Sequence, residues 1–180
     1  MIKYDFHLHT AFSNDSTAPM TEMIQRGIEL GLTALCFTEH MDMDFPRSQQ
    51  DSMDFTVDTD AYYKELCKLK EIYQKQIKVL FGVELGLQSH LKERCLSYVN
   101  QYPFDFIIGS SHVVNGLDPY YPAFYENTTE DAAYLSYFES ELENVKIFDT
   151  YDVYGHLDYV VRYGPSKNQF YSYAKFADII

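Results

Sequence analysis

The chain has 180 residues, of which 46% are hydrophobic and 17% are aromatic. This length and composition favour a single domain with a substantial core and exclude a disordered polar chain. The formal net charge is −13, from 14 basic and 27 acidic residues, which argues against long nucleic acid or an anionic membrane surface as a partner, because both bind basic protein faces.

Apolar, β-prone segments alternate along the chain with segments of helical periodicity. We predict strands over residues 2–9, 32–38, 77–83, 104–109 and 152–155, and helices over residues 19–29, 60–75 and 91–102, from 128 and from 166. Parallel strands need crossover helices, so this alternation predicts a parallel sheet. An open doubly wound sheet and a TIM-like barrel both fit the order, although no GxGxxG or GxxxxGK[ST] motif follows any predicted strand.

The chain carries no apolar run of about 18 residues that would span a membrane. It also begins without the pattern of a signal peptide. Its three cysteines, Cys36, Cys67 and Cys95, are far apart and form no CxxC pair, which favours a reducing compartment and buried structural thiols. We therefore expect a cytoplasmic protein without a membrane partner.

Five of the six histidines fall at the carboxyl end of a predicted strand or one residue beyond it. They are His7, His9, His40, His112 and His156, and Glu84 occupies the same place on the third strand. Functional groups of parallel α/β folds collect at that edge. One histidine in such a place is usually structural, but five from four strands predict a shared metal site. The remaining His90 is expected on the surface.

The first motif is Asp-Phe-His-Leu-His, residues 5–9. Because strand side chains alternate, Asp5, His7 and His9 are predicted on one face. Two imidazoles at this spacing can reach one metal ion, and Asp5 can orient them. Alone, the HxH pattern has low specificity, and its companions on the later strands strengthen it.

Taken together, the motifs resemble those of a known family. HxHTxxSxD at residues 7–15 is followed by TEH at 38–40, GVEL at 82–85, SSH at 110–112 and GHLD at 155–158. This order resembles the PHP (polymerase and histidinol phosphatase) family over residues 5 to about 164, and within it is most similar to the bacterial histidinol-phosphate phosphatases. The resemblance implies a distorted (β/α)7 TIM-like barrel, an α/β fold that binds up to three metal ions.

The resemblance also implies the ligands of two ions. His7, His9 and Glu84 would hold the first, and Glu84 would bridge to a second held by His112 and His156. Mixed imidazole and carboxylate ligands suit zinc, manganese or iron, and the sequence does not choose among them. A metal-bound water held by Glu84, His112 and His156 would then attack the phosphorus.

A third ion and the substrate involve further residues. Asp15 and His40 would hold the third ion, so the resemblance implies two to three divalent metals. Arg162 resembles the family's phosphate-binding arginine, with a surface salt bridge as the alternative, and Arg47 is a weaker substrate-binding candidate. The aromatic segment 112–125 either walls the pocket or packs elsewhere.

The family's final GxDxH-type motif is absent from these residues. We therefore interpret residues 1–180 as a single PHP domain truncated after about five βα units, without its last strands and final metal-binding motif. A chain of this extent is expected to be poorly active and to self-associate into oligomers, because exposed strand edges and apolar helix faces favour association.

The predicted activity is that of a metal-dependent phosphatase for a small phosphate monoester. The best candidate is L-histidinol phosphate, hydrolysed to L-histidinol in histidine biosynthesis. Another PHP phosphoesterase, such as a phosphodiesterase or nucleotidase, and a non-catalytic metal-binding fragment are the alternatives.

Overall fold

The computed structural model describes residues 2–46, 54–169 and 171–180. Its centre is a five-stranded sheet that curls into a half-barrel. The strands are β1 (Tyr4–Leu8), β2 (Ala34–Met41), β3 (Lys78–Gly86), β4 (Phe106–Ser110) and β5 (Val153–Tyr154). Each strand pairs in parallel with the next one in the chain. A doubly wound sheet would reverse its strand order at one point, so the barrel-type alternative is confirmed.

Six α-helices accompany the described strands. They are α1 (Met20–Glu29), α2 (Thr59–Tyr73), α3 (Lys92–Val99), α4 (Glu130–Ile147), α5 (Tyr159–Tyr163) and α6 (Tyr173–Phe176). Side-chain caps define two of the starts, because Asp58 accepts a hydrogen bond from Ala61 N and Thr129 accepts one from Ala132 N. No helix in the described part of the chain is both long and apolar enough to cross a membrane.

One predicted helix is wrong. The backbone N–H and hydroxyl of Ser166 both donate to Glu130, at 3.1 and 2.6 Å. The residue therefore links the loop to the start of α4, and the next helix begins only at Tyr173. A capping residue in the sequence predicts a helix only when its side chain is free to bind the following backbone N–H groups.

The buried apolar residues form two clusters. The first packs helices α1 to α3 against β2 and β3 around Ile24, Phe37, Tyr62 and Phe81. The second packs α4 to α6 together around Tyr134, Tyr137, Phe138, Val160 and Phe176. Of the cysteines, Cys36 and Cys95 are buried and unpaired as expected, whereas Cys67 is exposed.

Candidate metal centre

The carboxyl ends of β2 and β3 position the centre of the site. Both strands continue three residues beyond their predicted ends, and His40 and Glu84 are direct neighbours in the parallel register. Beyond them, Gly86 lets Asp42 approach β3, since a Cβ at Gly86 would overlap the Asp42 carboxylate. The strand ends therefore bring two acids and one imidazole together below the surface.

Glu84 lies between two pairs of imidazoles. Its Oε2 is 3.1 Å from His7 Nε2 and 3.2 Å from His9 Nε2. Its Oε1 is 2.9 Å from His156 Nε2 and 3.3 Å from His112 Nε2. The two oxygens thus face different histidine pairs, which is the arrangement that a carboxylate bridging two metal ions requires.

Hydrogen bonds do not account for all of this convergence. Within the described structure, Glu84 Oε2 and the Nδ1 atoms of His9, His40 and His156 are buried without a hydrogen-bond partner. The imidazole nitrogens close to Oε2 are near enough for hydrogen bonds but lack the required alignment. Buried polar atoms without partners are costly and rare. The donor set therefore fits a divalent metal better than a protein-only hydrogen-bond network.

A further group of ligand atoms lies beside the first. His9, Asp15 and His40 each offer a ligand atom, all within 4.8 Å of one another. The distance from His40 Nε2 to Asp15 Oδ2 is 3.4 Å, and the His9 and His40 rings stack with centroids 4.3 Å apart. The structure thus brings all seven predicted ligands together at one edge of the sheet.

The buried Asp42 belongs to the site, although the sequence reasoning did not select it. Its Oδ1 lies 2.7 Å from His112 Nδ1. In the neutral imidazole, a proton on Nδ1 would be donated to the aspartate, and the Nε2 lone pair would then face the centre. The alternation of His40 and Asp42 at the end of β2 was the available signal, since both follow the same face of the strand.

The charges of the cluster depend on one another. Burial disfavours the charged imidazole of His112, but the carboxylates of Asp42 and Glu84 raise its pKa well above the usual value. The pKa of His40 rises to about 10, against the effect of burial, because Asp15 and Asp42 contact it. Burial likewise opposes the ionised form of Glu84, yet His112 and His156 hold its pKa well below the usual range. The buried carboxylates therefore require positive charge nearby, from protons or from metal ions.

A pocket of about 600 Å³ opens over this cluster. Arg162, on α5, lines the pocket, and its guanidinium lies 5.5 Å from the ring centroid of Tyr163. No carboxylate among the described residues forms an ion pair with Arg162, so the structure offers no support for the surface salt bridge. Arg47 lies outside the described residues.

The aromatic residues of segment 112–125 take both predicted roles, because some line the pocket and others pack elsewhere. Tyr120 and Tyr121 line the pocket. Phe124 is buried in the second hydrophobic cluster, and the Tyr125 hydroxyl donates to Val160 O at 2.9 Å. Wall and packing roles therefore both occur within six residues.

Asp118 is a second acid of the pocket that the sequence reasoning missed. The side chain is 6% exposed, and its Oδ1 accepts hydrogen bonds from Tyr120 N at 2.8 Å and the Tyr159 hydroxyl at 3.1 Å. Burial raises the pKa of this carboxyl to about 6. The Tyr159 ring also contacts the rings of His112 and His156, which connects Asp118 to the predicted ligands.

Two other sequence expectations concern residues around the site. Asp5 accepts a hydrogen bond from the backbone N–H of His7 at 3.3 Å and is exposed, so its contact is with the backbone rather than an imidazole ring. His90 is exposed and lies 3.4 Å from Asp44, as expected for a surface residue.

The parallel strands are arranged in chain order, and imidazoles and carboxylates lie together at the carboxyl edge of the sheet. These two features define an α/β barrel-type protein with a candidate metal centre. The pattern of the PHP domain family matches residues 5–180. The chain belongs to the PHP domain family.

Individual relatives agree with this assignment. A histidinol-phosphatase of Lactococcus lactis subsp. lactis (strain IL1403) is 33% identical over 181 residues, covering 100% of this chain and 65% of the relative. A probable histidinol-phosphatase of Clostridium acetobutylicum is also 33% identical, over 98% of this chain and 66% of its own length. The chain therefore spans about two thirds of the length of these relatives.

A solved structure shares the fold closely. It is a histidinol phosphate phosphatase of Lactococcus lactis subsp. lactis Il1403 complexed with zinc, L-histidinol and phosphate. The TM-score is 0.91 at 34% identity, with 98% of this chain and 66% of the other covered. This chain therefore shares its fold with a family member that was crystallised with zinc.

Proposed function

We propose that the protein is a metal-dependent phosphatase that hydrolyses L-histidinol phosphate to L-histidinol and phosphate, in the cytoplasm, as a step of histidine biosynthesis. The observation that carries the proposal is the position of Glu84, whose two oxygens each face a separate pair of imidazoles. The relatives that share this fold and are named histidinol-phosphatases support the choice of substrate.

The proposed centre holds two to three divalent ions, with zinc, manganese and iron as the candidates. We assign His7, His9 and Glu84 to the first ion, and Glu84 with His112 and His156 to the second. The third assignment is Asp15 with His40, whose ligand atoms are 3.4 Å apart. These residues form the ligand set predicted from the sequence.

Bound divalent ions in such a centre neutralise phosphoryl oxygens and lower the pKa of water. The protein's own residues orient the proposed metal ligands and the phosphate group. Ser110 donates a hydrogen bond of 2.8 Å to Glu84 Oε1 and fixes the carboxylate plane, while Asp42 fixes the ring of His112. Arg162 presents a planar guanidinium to the pocket, which suits bidentate binding of the phosphate group.

The residues also indicate why no protein nucleophile is required. Ser13 donates to Glu39 at 2.6 Å, and Ser110 donates to Glu84. These hydroxyls are already committed to carboxylates. Burial raises the pKa of Cys36 to about 12, which keeps that thiol protonated and unreactive. Water is therefore the proposed attacking group, and the ester P–O bond breaks to release the alcohol.

The test compares substrates with the protein in its full encoded length and with its metal content measured. L-Histidinol phosphate should have a much higher kcat/KM than p-nitrophenyl phosphate or a nucleotide phosphodiester. Arg162→Ala should lower kcat/KM for the monoesters by roughly 10-fold or more, the loss expected for a charged hydrogen bond. Arg26→Ala is the matched control, because Arg26 is exposed on α1 and pairs with Glu29.

Two outcomes would contradict the proposal. A higher kcat/KM for the phosphodiester would assign the protein to another phosphoesterase activity of the family. Metal-loaded protein that hydrolyses none of the three esters would indicate a metal-binding protein without turnover.

A further inference from the structure

A buried hydrogen-bonded cluster lies beside the candidate ligands of the third ion. Its centre is Glu39, which is 0% exposed and belongs to none of the candidate ligand groups. The hydroxyl of Thr10 donates to Glu39 Oε1 at 2.7 Å, and the hydroxyl of Ser13 donates to Oε2 at 2.6 Å. Thr10 N reaches both oxygens, at 3.1 and 3.0 Å. We call Thr10, Ser13 and Glu39 the carboxylate clamp.

The clamp joins β2 to the loop after β1, where the ladder between these two strands has ended. The last pair in their register is Leu8 with Phe37. Beyond it, side chains replace the backbone as hydrogen-bond acceptors. Thr38 Oγ1 accepts from Leu8 N, and Ser13 Oγ accepts from His40 N, both at 3.0 Å. Because backbone N–H groups in such a place need a partner, these side chains fix the path of the loop.

Each residue of the clamp lies one or two positions from a different residue of one ligand group. The pairs are Thr10 with His9, Ser13 with Asp15, and Glu39 with His40. The ligand atoms of His9, Asp15 and His40 lie within 4.8 Å of one another. Asp15 lies outside any strand, so no sheet ladder sets its distance from β2. The clamp therefore supplies hydrogen bonds that keep this loop, with its carboxylate, close to the end of β2.

The ligands around Glu84 are fixed by other residues. Ser110 donates to Glu84 Oε1 at 2.8 Å, and Asp42 contacts His112. Within the described structure, no hydrogen bond joins the clamp to Glu84, His112 or His156. Loss of the clamp should therefore affect the third ion more than the two ions that share Glu84.

We propose that Glu39 is a positioning residue for the third ion, because it ties the loop that carries Asp15 to the end of β2 that carries His40. The inference rests on the proposed metal centre and adds to it a residue that sets the occupancy of one site. Glu39 does not line the pocket, and both of its oxygens accept hydrogen bonds from the clamp. It acts on the positions of the ligands, without contact to the ion or the substrate.

The first test titrates metal-free Glu39→Gln with zinc and counts the bound ions by equilibrium dialysis and elemental analysis. The amide keeps the size of the side chain, but its NH2 group cannot accept the hydrogen bonds that one carboxylate oxygen accepts. The affinity for the third ion should fall by about 10-fold or more, and that for the two ions sharing Glu84 by less than about 3-fold. Glu22→Gln is the matched control, because Glu22 is exposed in the first turn of α1, and should change neither.

Two substitutions of Thr10 separate hydrogen bonding from packing. Thr10→Ser keeps the hydroxyl that donates to Glu39 but removes a methyl group. Thr10→Val keeps the volume but removes the hydroxyl. Thr10→Val should weaken zinc binding at the third site by roughly 3- to 10-fold more than Thr10→Ser does. The reverse order, or equal losses, would show that the residue acts by packing and would overturn the clamp.

Hydrogen exchange of the metal-free proteins distinguishes positioning from a general loss of stability. Thr10 and His40 donate their backbone N–H groups into the clamp. In Glu39→Gln these two amides and those of residues 11–16 should exchange faster than in wild type, while β3 stays equally protected. Exchange that increases equally in the loop and in β3 would overturn the positioning role.

The ion count separates this inference from the proposed function. Wild type that binds only two ions, or a third ion held equally well by wild type and Glu39→Gln, would overturn the role of Glu39 and leave the Glu84 centre in place. Wild type that binds no ion would overturn the proposed centre together with the clamp. Three bound ions without hydrolysis of any ester would overturn the phosphatase proposal alone.

Discussion

The buried carboxylate of Asp42 contacts two imidazoles of the candidate centre. Its Oδ1 lies 2.7 Å from His112 Nδ1, and its Oδ2 lies 3.1 Å from His40 Nδ1. Burial would raise the pKa of Asp42, but His112 and His40 outweigh it and lower that pKa to about 2. An ionised acid in this place fixes the ring of His112 while remaining outside the proposed ligand set.

Asp42→Asn should therefore weaken metal binding. An amide cannot supply the negative charge that holds the His112 ring, and loss of such a supporting acid typically costs about 10- to 100-fold in metal affinity. Competition with a chelator of known affinity measures the change. Asp44→Asn is the matched control, because Asp44 is two residues away, exposed and paired with Arg94. Equal affinities for the two variants would show that Asp42 does not position the ligands.

Six of the seven candidate ligands could be located from the sequence because they lie at or next to a strand end, whereas Asp15, in the loop after β1, followed only from the family resemblance. Parallel strands place their carboxyl ends at one edge, so the position of a histidine in its strand already predicts its neighbours. Asp42 and Asp118 were harder to predict. The approach of Asp42 depends on the missing Cβ of Gly86, and Asp118 lies in a loop whose path depends on hydrogen bonds to Tyr120 and Tyr159.

At the scale of elements, the order of strands and helices was predictable but several boundaries were not. β2 extends beyond its run of apolar residues, because Glu39 is buried by hydrogen bonds from Thr10 and Ser13 rather than by apolar packing. On β3, the buried Glu84 accepts a hydrogen bond from Ser110. From sequence alone, polar residues at the end of a strand are easily assigned to the following loop. Their burial is decided by partners that are distant in the chain.

The first strand shows a different limit of sequence patterns. Its parallel register with β2 shifts between Asp5 and Leu8. Phe6 contacts Phe106 on β4, whereas Leu8 packs against the first hydrophobic cluster. Simple alternation along β1 would place both on one face, opposite Asp5, His7 and His9. Such irregularities are common beside functional sites and redirect side chains there.

Helix α4 carries a buried acid that belongs to none of the candidate groups of metal ligands. Glu141 is 5% exposed, and its Oε1 has no hydrogen-bond partner in the described structure. Burial raises the pKa of Glu141 from 4.5 to about 8. Between these values the folded protein keeps a proton that the unfolded chain has lost. This residue therefore lowers the free energy of unfolding as pH rises through that range.

Glu141→Gln should remove that pH dependence. The free energy of unfolding should rise relative to wild type by roughly 4 kcal/mol at about pH 8, and change little at about pH 4. Urea melts at several pH values test this, with Glu143→Gln as control because Glu143 is exposed on the same helix. A Glu141→Gln variant whose stability parallels that of wild type at every pH would contradict the buried-acid interpretation.

At the scale of the whole molecule, the candidate centre takes its ligands from segments that belong to both hydrophobic clusters. His40 and Glu84 extend from β2 and β3, whose apolar residues form the first cluster. His112 precedes Val114, and His156 precedes Val160, both of which belong to the second cluster. A metal ion shared by Glu84, His112 and His156 would therefore tie one cluster to the other.

Removal of metal should destabilise residues 112–163 more than it destabilises β2, β3 and helices α1 to α3. Ligands that bind only the folded state stabilise it by mass action, so chelation should lower the melting temperature. The strands β2 and β3 retain their ladder and the packing of α1 to α3 without an ion. Residues 112–163 would lose the link through His112 and His156. We expect hydrogen exchange after chelation to increase mainly in residues 112–163, with β2 and β3 still protected.

The matched variant is Glu84→Gln, which removes the charge of the proposed bridge while keeping its size. Its elemental analysis should show a loss at both sites that share Glu84, and chelation should then change its melting temperature and exchange pattern little. Re-addition of zinc or manganese should restore protection to wild type but not to this variant. Exchange that increases equally throughout the chain, or a wild-type melting temperature unchanged by chelation, would show that no ion joins the two clusters. Loss of metal from one site alone in Glu84→Gln would instead argue against a bridging carboxylate, because a residue that serves both ions cannot be removed from only one.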